Sequence, residues 1–600
     1  MKWNGIRENR FYMLSAAAIS CMIICFTIGT IGSSWNWGGA ASIFMLELLV
    51  IFVCIKKAFE ITHWSDAVYL ALFVIVGVLY YWAVKRPYVA FDTWQVFDMS
   101  RFIFKDFGYM VNIRQHIINT NYEMAFPPLF PFLMASINVG IDMSVLAGVF
   151  LNFNFALLLI CEIKKFGQRI HYRGEMAIAA LLFVCTYWFR IVFMGGLTQL
   201  LGYLLFISIA NILVKESYTR KDSFLCIFIS GLGLMNRFDF LAAAGLLVLL
   251  IPLKELPVLD NRVVFYVKRV FLNTIIMIVV CLPWIIYSIA RFHSIFITDN
   301  GRRLFNIEDT RPSTYFPADS PALTIFDDFG GWLDAFVHRC WSALHSLLHM
   351  IKYYYIPRNT FIILVILLII YLIYLICRRR EKIINFCKWK KIQKYIDIII
   401  IGTVAAGQEG MYILTGYPDE RYHLLFLFVL NVIIFITVVR ILKGLREVLK
   451  SDLYTGMRRR LLYVFGTAFL LCFVYDGIML AVSAYPYAFC TYLSGEPTVD
   501  TVSLLTGNEE KIDKYLKDVE SSCLVVYRLE STIDVPKTMS LVHTSTMLSP
   551  SNLSTENVRA YVEDFDVDYL YSSDEGFVDI FKDVLEIRET EVDNLYVISQ

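Results

Sequence analysis

The residues best suited to chemistry lie in a polar stretch, residues 85–131, that separates two apolar runs. Asp92 follows the first run closely, and Asp98 and Glu123 come later in the stretch. A carboxylate held just outside an apolar layer can take a proton from a hydroxyl or an amine, which is general-base chemistry. Asp92 is therefore the candidate catalytic residue, with Asp98 or Glu123 as a possible second acid. Capping a helix over residues 92–105 is a structural role that Asp92 can fill at the same time.

A proline segment ends this stretch. Pro127 and Pro128 can begin a helix but not lie inside one, because proline lacks the backbone N–H and clashes with the preceding turn. The sequence therefore predicts a short apolar helix over residues 129–138 at the membrane surface. His116 and Glu123 precede it as further candidates for polar groups of a site, although a solvated loop would explain both.

Composition places the chain among membrane proteins. It has 600 residues, of which 58% are hydrophobic and 18% charged, and its mean hydropathy is +0.58. Soluble domains are about half apolar and about a quarter charged. Repeated apolar runs of about 18 residues or more predict an all-α polytopic membrane protein with about 13 transmembrane helices. The predicted spans are residues 11–33, 39–55, 67–84, 143–163, 175–194, 197–214, 223–236, 238–253, 269–291, 359–377, 395–415, 423–442 and 461–483.

Lysine and arginine predict the orientation of these spans. The basic connections fall on one side, which the positive-inside rule makes the cytoplasmic side. They are Lys56–Lys57, Lys164–Arg173, Lys215–Lys221, Lys254–Arg269, Arg378–Lys394 and Lys443–Arg460. The first run is longer than the apolar core of a signal peptide, so we expect a retained span, a cytoplasmic N-terminus and an extracytoplasmic tail. The bias toward isoleucine, lysine and tyrosine hints at a bacterial source, and so at the plasma (inner) membrane.

The pattern divides the chain into two parts. Residues 1–484 form the membrane part, with outer loops at 85–127 and 292–358. Residues 485–600 lose the long apolar runs and alternate short strands with helices, which is typical of a small α/β domain. The predicted strands are Cys523–Tyr527, Val567–Tyr571 and Leu595–Ile598, and the predicted helices are Asn508–Ser521, Thr555–Asp564 and Gly576–Val584.

Three charged residues lie within the apolar part. Arg237 stands between two short apolar segments, beside Asp239, and Glu409 lies inside the run 395–415. Ionisable residues within membrane spans usually face the protein interior and mark functional sites. A mutual ion pair that caps two helix ends is the structural alternative for Arg237 and Asp239. For Glu409 we expect a polar cavity, in which it lines a site or neutralises an arginine.

Several motifs, taken in order, resemble the GT-C integral-membrane glycosyltransferases, and most of all the protein mannosyltransferase and aminoarabinose transferase group. They are Asp92 early in a long outer loop, PPLFPFLMA at 127–135, Gly233–Asp239, Leu282–Trp284 with Ile297–Arg302, and Pro418–His423. The resemblance extends over residues 67–483. It implies a GT-C-like fold and the transfer of a sugar, with inversion, from a polyprenyl-phosphate donor to an acceptor. Asp92 stands where the family's catalytic acid stands.

The sequence departs from the family pattern in two ways. Thr93 follows Asp92, where the family often carries an Asp-Glu pair, and two additional spans precede the expected first one. The partner of Asp92 therefore stays open between Asp98, Glu123 and no second carboxylate.

A lipid-phosphate donor would place a phosphate at the outer surface, where arginine can bind it in a forked geometry. Arginine on that side is informative because basic residues concentrate on the cytoplasmic side. The candidates are Arg86, Arg237, Arg302, Arg303 and Arg421. For Arg421, a local ion pair with Asp419 or Glu420 is the alternative, and such surface pairs contribute little stability.

Other function classes remain as alternatives. The resemblance implies no cofactor, because the donor is already activated; no metal-ligand spacing is present, and participation of a divalent metal stays open. The expected partners are the polyprenyl-phosphate sugar, a glycan, lipid or protein acceptor and membrane lipids, with no nucleic acid. A transporter or flippase of a lipid-linked glycan or another amphiphile would share the spans and charges, although transporters often show inverted repeats and none is found here. An inactive scaffold whose tail binds a partner is a third possibility.

Overall fold

The computed structural model describes the greater part of the membrane region and parts of the tail. The described residues are 47–50, 63–85, 96, 100, 127–141, 146–255, 262–292, 325–326, 328–352, 355–378, 396–416, 420–450, 457–479, 509–516, 523–526, 540–543, 558–559, 562, 567–572 and 575–599. The predicted span 11–33 and most of 39–55 lie outside them.

Helices make up the described membrane part. They are α1 Trp64–Lys85, α2 Leu129–Ile141, α3 Leu146–Arg169, α4 Arg173–Val184, α5 Tyr187–Met194, α6 Gln199–Leu213, α7 Arg220–Asn236, α8 Phe240–Lys254, α9 Arg262–Phe292, α10 Phe329–Lys352, α11 Arg358–Arg378, α12 Ile396–Thr415, α13 Leu424–Lys450 and α14 Met457–Met479. A 3-10 helix, Glu420–His423, leads into α13.

Among the described residues, six helices are long and apolar enough to cross a membrane, or seven if one bent pair counts as a single span. Shorter apolar helices, α6 and α8 among them, accompany these spans. The chain is therefore a polytopic helical membrane protein, as the composition predicts. The number of 13 spans stays a prediction.

One predicted span is not a single straight helix. The run 175–194 bends by 65° between α4 and α5. The hydroxyl of Thr186 accepts a hydrogen bond from the backbone N–H of Phe189 at 3.2 Å, so Thr186 caps a new helix. A capping threonine satisfies an N–H that would otherwise lack a partner, and this stabilises the restart.

The proline segment begins a helix, as predicted. α2 starts at Leu129, and the N–H of Phe132 donates to the carbonyl of Pro128 at 2.9 Å. Its C-terminal end lies at Ile141, three residues beyond the predicted one. Pro131 falls in the first turn, where a missing N–H removes no helical hydrogen bond.

Polar contacts divide between the two ends of the helix bundle. At one end, Lys164 pairs with Asp66 at 3.1 Å, Lys254 pairs with Asp397, and Arg440 lies over the ring of Tyr172. These residues border the basic connections, so we name this the basic end. The opposite end, where α6, α8 and α13 begin, is named the site end. The meeting of separate basic connections at one end agrees with the sidedness derived from the sequence.

A close backbone contact fixes the loop between α5 and α6 at the site end. The amide of Asn152 donates to the carbonyls of Val192 and Leu197 at 2.9 and 3.0 Å. Gly196 has a φ of +59°, and a Cβ built there would lie 2.9 Å from the carbonyl carbon of Gly148. Only glycine suits both the left-handed backbone and this contact with α3. The contact sets the position at which α6 begins.

The tail contains an α/β domain with a five-stranded sheet among its described residues. The strands are β1 Cys523–Val526, β2 Ser540–His543, β3 Val567–Tyr571, β4 Glu586–Glu589 and β5 Leu595–Ser599, in the order β2-β1-β3-β5-β4. β1 is parallel to β2 and β3, whereas β5 is antiparallel to β3 and β4. The described tail helices are α15 Glu509–Leu516 and α16 Glu575–Lys582.

The sequence predicts the three inner strands and misses both edges. β4 reads EIRE, with most of its residues exposed, and so gives no alternation of buried and exposed positions. Edge strands need fewer apolar residues, because neighbours cover them on one side only.

Replacing Gly196 with alanine tests the close contact. We expect Gly196→Ala to lower the free energy of unfolding by at least roughly 1–2 kcal/mol, the cost of a left-handed non-glycine residue, with the clash against Gly148 in addition. Thermal unfolding in detergent measures this. The control is Gly245→Ala inside α8, where an added Cβ meets nothing within 4 Å; it should be neutral or gain about 0.5–1 kcal/mol. Equal melting of Gly196→Ala and wild type would contradict the proposed role of this contact.

Candidate functional site

The chain between α7 and α8 carries a buried ion pair. The Nε of Arg237 donates to Asp239 Oδ1 and Oδ2 at 3.1 and 2.8 Å, and Nη2 donates to Oδ2 at 2.5 Å. The two side chains are 11% and 7% exposed. The mutual pair foreseen as the structural alternative is therefore present. Both residues lie between the end of α7 and the start of α8.

Arg237 also joins α7 to the start of α6. Its Nη1 donates to the hydroxyl of Thr198 at 2.8 Å, and the amide of Asn236 donates to the Thr198 carbonyl at 3.0 Å. Thr198 is the N-cap residue of α6, yet its side chain makes no capping hydrogen bond there. The Thr198 hydroxyl binds the guanidinium instead, so the side chain of Thr198 does not cap the positive end of the α6 dipole, which lies beside Arg237.

One tyrosine ring contacts two arginines. The guanidinium carbons of Arg237 and Arg421 lie 5.3 and 5.2 Å from the ring centroid of Tyr422. The ring of Tyr412 packs 5.3 Å from that of Tyr422, and the hydroxyl of Tyr203 donates to the carbonyl of Arg421 at 3.1 Å. Cation–π contacts hold a guanidinium by its face and leave its N–H edge available. The structure thus brings two of the predicted phosphate-binding residues to one aromatic ring.

Glu420 fastens the 3-10 helix to two neighbours. Its carboxylate accepts a hydrogen bond from Trp188 Nε1 at 2.6 Å and lies 2.5 Å from His349 Nδ1. Burial raises the pKa of the nearby Tyr355 phenol, and the negative charge of Glu420 raises it further, so this phenol stays protonated. The contacts connect α5, α10 and the 3-10 helix, and they limit how far Arg421 can move.

Among the described residues, Glu409 pairs with a histidine. Its Oε1 lies 2.6 Å from His423 Nδ1, and both side chains are buried. No described arginine contacts Glu409, because the last residue of the 3-10 helix supplies a histidine at this point, and the alternative that Glu409 neutralises an arginine stays a prediction. Glu409 Oε2 and His423 Nε2 have no hydrogen-bond partner among the described residues. A polar partner is therefore still missing on this side of the cluster.

Gln199, Asn152 and His423 belong to the site region and were missed from the sequence. Gln199 is 3% exposed, and neither its Nε2 nor its Oε1 has a hydrogen-bond partner among the described residues. Gln199 could have been found from its place near the start of the apolar run 197–214. A polar side chain within such a run usually faces the protein interior, which would have made it a candidate for the site.

Several predicted site residues lie outside the described residues. They are Asp92, Asp98, Glu123, His116, Arg86, Arg302 and Arg303. Their roles stay predictions. Within the described ranges, no group of three His, Cys, Asp or Glu side chains is arranged to hold a metal ion.

The fold and the site define a polytopic helical membrane protein with a buried arginine-containing cluster at one end of its bundle. No protein-family model and no curated protein sequence matches the chain. Two of the solved structures that are similar to the chain are of ArnT from Cupriavidus metallidurans. The one bound to undecaprenyl phosphate has a TM-score of 0.48, 11% identity and coverage of 89% of this chain and 97% of the other. The apo structure has a TM-score of 0.45, 11% identity and coverage of 88% and 97%.

ArnT is of the kind of transferase that the sequence motifs resemble. With TM-scores below 0.5 and 11% identity, the likeness transfers no activity, ligand or residue role to this chain.

Removing the carboxylate of the ion pair tests its energetics. We expect Asp239→Ala to lower the free energy of unfolding by about 3–5 kcal/mol, because it leaves a buried charge without its partner. Thermal unfolding in detergent measures the change. A variant with both Arg237→Met and Asp239→Leu should recover most of this loss, since apolar residues can replace a buried pair at little cost.

The matched control lies at the basic end. Asp397 pairs with Lys254, but its side chain is 30% exposed, and Lys254 keeps its contacts with the Leu213 carbonyl and the Tyr218 ring when Asp397 is removed. Asp397→Ala should therefore change the free energy of unfolding by at most about 1 kcal/mol. If Asp239→Ala and Asp397→Ala lower the free energy of unfolding by similar amounts, burial of Asp239 does not explain the strength of the Arg237–Asp239 pair.

Proposed function

We propose that the protein is a membrane glycosyltransferase that moves a sugar from a polyprenyl-phosphate donor to an extracytoplasmic glycan, lipid or protein acceptor. The observation that supports it most is the hydrogen-bonding state of Arg237. A guanidinium has five N–H donors. Asp239 and Thr198 use the Nε hydrogen, one Nη2 hydrogen and one Nη1 hydrogen. One hydrogen on each terminal nitrogen remains without an acceptor among the described residues, and a phosphate can accept a hydrogen bond from each.

The surroundings of Arg237 favour an anionic ligand. Arg421 contacts the same ring, that of Tyr422, and the N-terminal end of α6 adds the positive end of a helix dipole. Asp239 holds the guanidinium in one orientation, so little conformational entropy is lost when a phosphate binds. Arg302, Arg303 and Arg86 belong to the same proposal as outer arginines of the two loops.

The reaction follows from the chemistry of the donor. Asp92 takes the proton of an acceptor hydroxyl or amine, whose oxygen or nitrogen attacks the anomeric carbon from the face opposite the phosphate. The bond between that carbon and the phosphate oxygen breaks, and the electron pair leaves with the phosphate. This displacement inverts the anomeric centre. Arg237 and Arg421 stabilise the negative charge that develops on the departing phosphate.

The proposal also places the site in the cell. The site end lies opposite the basic end, so the positive-inside rule puts the site on the extracytoplasmic face of the plasma membrane. In a bacterium, a polyprenyl-phosphate sugar would present its headgroup there. The C-terminal α/β domain would lie on the same side, near the acceptor.

A transporter of a lipid-linked glycan is the second candidate. The bend of 65° between α4 and α5 is the feature that favours it, because transporters often use broken helices around a substrate. Such sites lie near the middle of the membrane, whereas Arg237, Thr198 and Arg421 lie where α6, α8 and α13 begin. This placement favours chemistry at the membrane surface.

Transfer of radiolabel tests the proposal. Purified wild type, Asp92→Asn and Asp397→Ala would each receive radiolabelled polyprenyl-phosphate sugars and a membrane extract as source of acceptors. We expect Asp92→Asn to lose about 10²–10⁴-fold in transfer rate, the usual contribution of a general base. Asp397→Ala, at the basic end, should match wild type.

Other outcomes of this assay discriminate between the alternatives. Equal rates for Asp92→Asn and wild type would move the base to Asp98 or Glu123. If the wild type transfers no label but carries the lipid-linked sugar across reconstituted vesicles, the transporter is the correct function.

Arg237→Lys tests the forked contact separately. Lysine keeps the positive charge but cannot offer two parallel N–H donors. We expect a fall of roughly 10²-fold in the rate of transfer, of the size seen when one donor to a developing anion is removed. A rate within about threefold of wild type would show that only the charge matters at this position.

A further inference from the structure

Gln199 is a buried amide without a partner. It is 3% exposed, and both of its polar atoms are buried without a hydrogen bond to any described residue. Buried polar groups in proteins are nearly always hydrogen-bonded, because an unmade bond leaves the cost of desolvation uncompensated. A residue of this kind needs an explanation, and a ligand that completes its hydrogen bonds is one.

The helix places Gln199 on the side of α6 that faces the arginine cluster. Successive residues of an α-helix are rotated by about 100°, so Gln199 falls between Gly202 and Tyr203 around the axis of α6. A Cβ built on Gly202 would lie 3.8 Å from Arg237 Cδ, whereas the hydroxyl of Tyr203 contacts the carbonyl of Arg421. Gln199 therefore lies on the same side of α6 as Gly202 and Tyr203, one turn nearer to the start of the helix.

Two further amides in this region also have an acceptor oxygen without a partner among the described residues. Asn236 gives its N–H to Thr198 and leaves its Oδ1 without a partner. Gln408 donates to the hydroxyl of Tyr412, which packs on Tyr422, and leaves its Oε1 without one. The arginine cluster is thus bordered by uncharged groups that can still form hydrogen bonds.

We propose that Gln199, assisted by Asn236, binds hydroxyl groups of the donor sugar beside the phosphate held by Arg237. This inference rests on the proposed function and adds a sugar-recognition site to it. A sugar hydroxyl both donates and accepts, and a primary amide offers one group of each kind in a fixed plane. The neutral amides therefore complement the uncharged part of the headgroup, and the arginines complement its phosphate.

The unpaired state of Gln199 gives the site its selectivity. A site whose buried polar groups are completed only by the correct ligand rejects an analogue that lacks the matching hydroxyl, since that analogue leaves the amide unpaired again. A bare polyprenyl phosphate would satisfy the arginines but not Gln199. The lipid that carries the sugar should accordingly bind more tightly than the lipid phosphate alone.

Binding to two classes of lipid tests this. The probes are undecaprenyl phosphate and undecaprenyl phosphate that carries glucose, galactose, mannose or N-acetylglucosamine, each bound to the full-length protein in detergent. Wild type should bind at least one sugar-bearing lipid more tightly than undecaprenyl phosphate. Gln199→Met, similar in shape but apolar, should bind that lipid at least 10-fold more weakly than wild type and keep its affinity for undecaprenyl phosphate within about twofold. Arg237→Met should weaken the binding of both.

A matched variant controls for the loss of a buried amide. Asn154 in α3 is fully buried and also has an unpartnered Oδ1. Asn154→Leu should leave both affinities unchanged. Gln199→Met should melt no lower than wild type in the absence of lipid, because it removes a buried unpaired amide, and this shows that the variant folds.

Each other result counts against one proposal. If Gln199→Met binds the sugar-bearing lipid like wild type, or weakens both lipids equally, the sugar site is overturned. If wild type binds every sugar-bearing lipid no better than undecaprenyl phosphate, the sugar site is overturned while the phosphate site stands. If wild type binds none of the probes, the glycosyltransferase proposal itself fails.

Discussion

The site depends on a buried charge, Arg237, that is held at the junction of separate chain segments. Asp239 neutralises it, Thr198 at the start of α6 accepts a hydrogen bond from it, and Tyr422 of the 3-10 helix lies against its face. A buried ion pair contributes little net stability compared with apolar residues of the same volume. Under the proposed function, the remaining N–H groups of Arg237 bind a phosphate, which explains the presence of the pair better than its small contribution to stability does.

Other contacts at the site end hold the start of α6 and the 3-10 helix in position around Arg237. Gly148 and Gly196 let α3 and the loop before α6 approach closely, and Asn152 secures that loop by two hydrogen bonds. Glu420 fixes the 3-10 helix to Trp188 and His349. A guanidinium held by rigid neighbours loses little entropy when a ligand arrives, so these supports favour binding as well as folding.

Features that depend on neighbouring residues in the sequence could be predicted. Long apolar runs predict the helices, prolines predict the start of α2, and Arg237 and Asp239 are near enough in sequence for their pairing to be foreseen. Contacts between distant segments were not predictable. Asn152 contacts Leu197 and Glu409 contacts His423 only after the helices have packed. The bend between α4 and α5 was missed because an apolar run gives the same signal whether or not it restarts at Thr186.

Buried polar groups in this protein fall into two kinds, and the difference points to function. Asp476 in α14 is fully buried, and its carboxylate accepts hydrogen bonds from the N–H and hydroxyl of Thr360 and from Asn359, each at 2.7 Å. It caps α11, and its hydrogen bonding is complete within the chain. Gln199, Glu409 and His423 are as well buried, yet each keeps a polar atom without a partner among the described residues. A buried polar group with a purely structural role has its hydrogen-bond partners within the protein. A polar group of a binding site can lack a partner until the ligand supplies one. Other buried atoms without such a partner, on Tyr69, Asn154 and Tyr218 among others, lie elsewhere in the bundle. Gln199, Glu409 and His423 lie near the start of α6 and the end of α12, beside the arginine cluster. Under the proposed function, a headgroup with both phosphate and hydroxyls would complete their hydrogen bonds there.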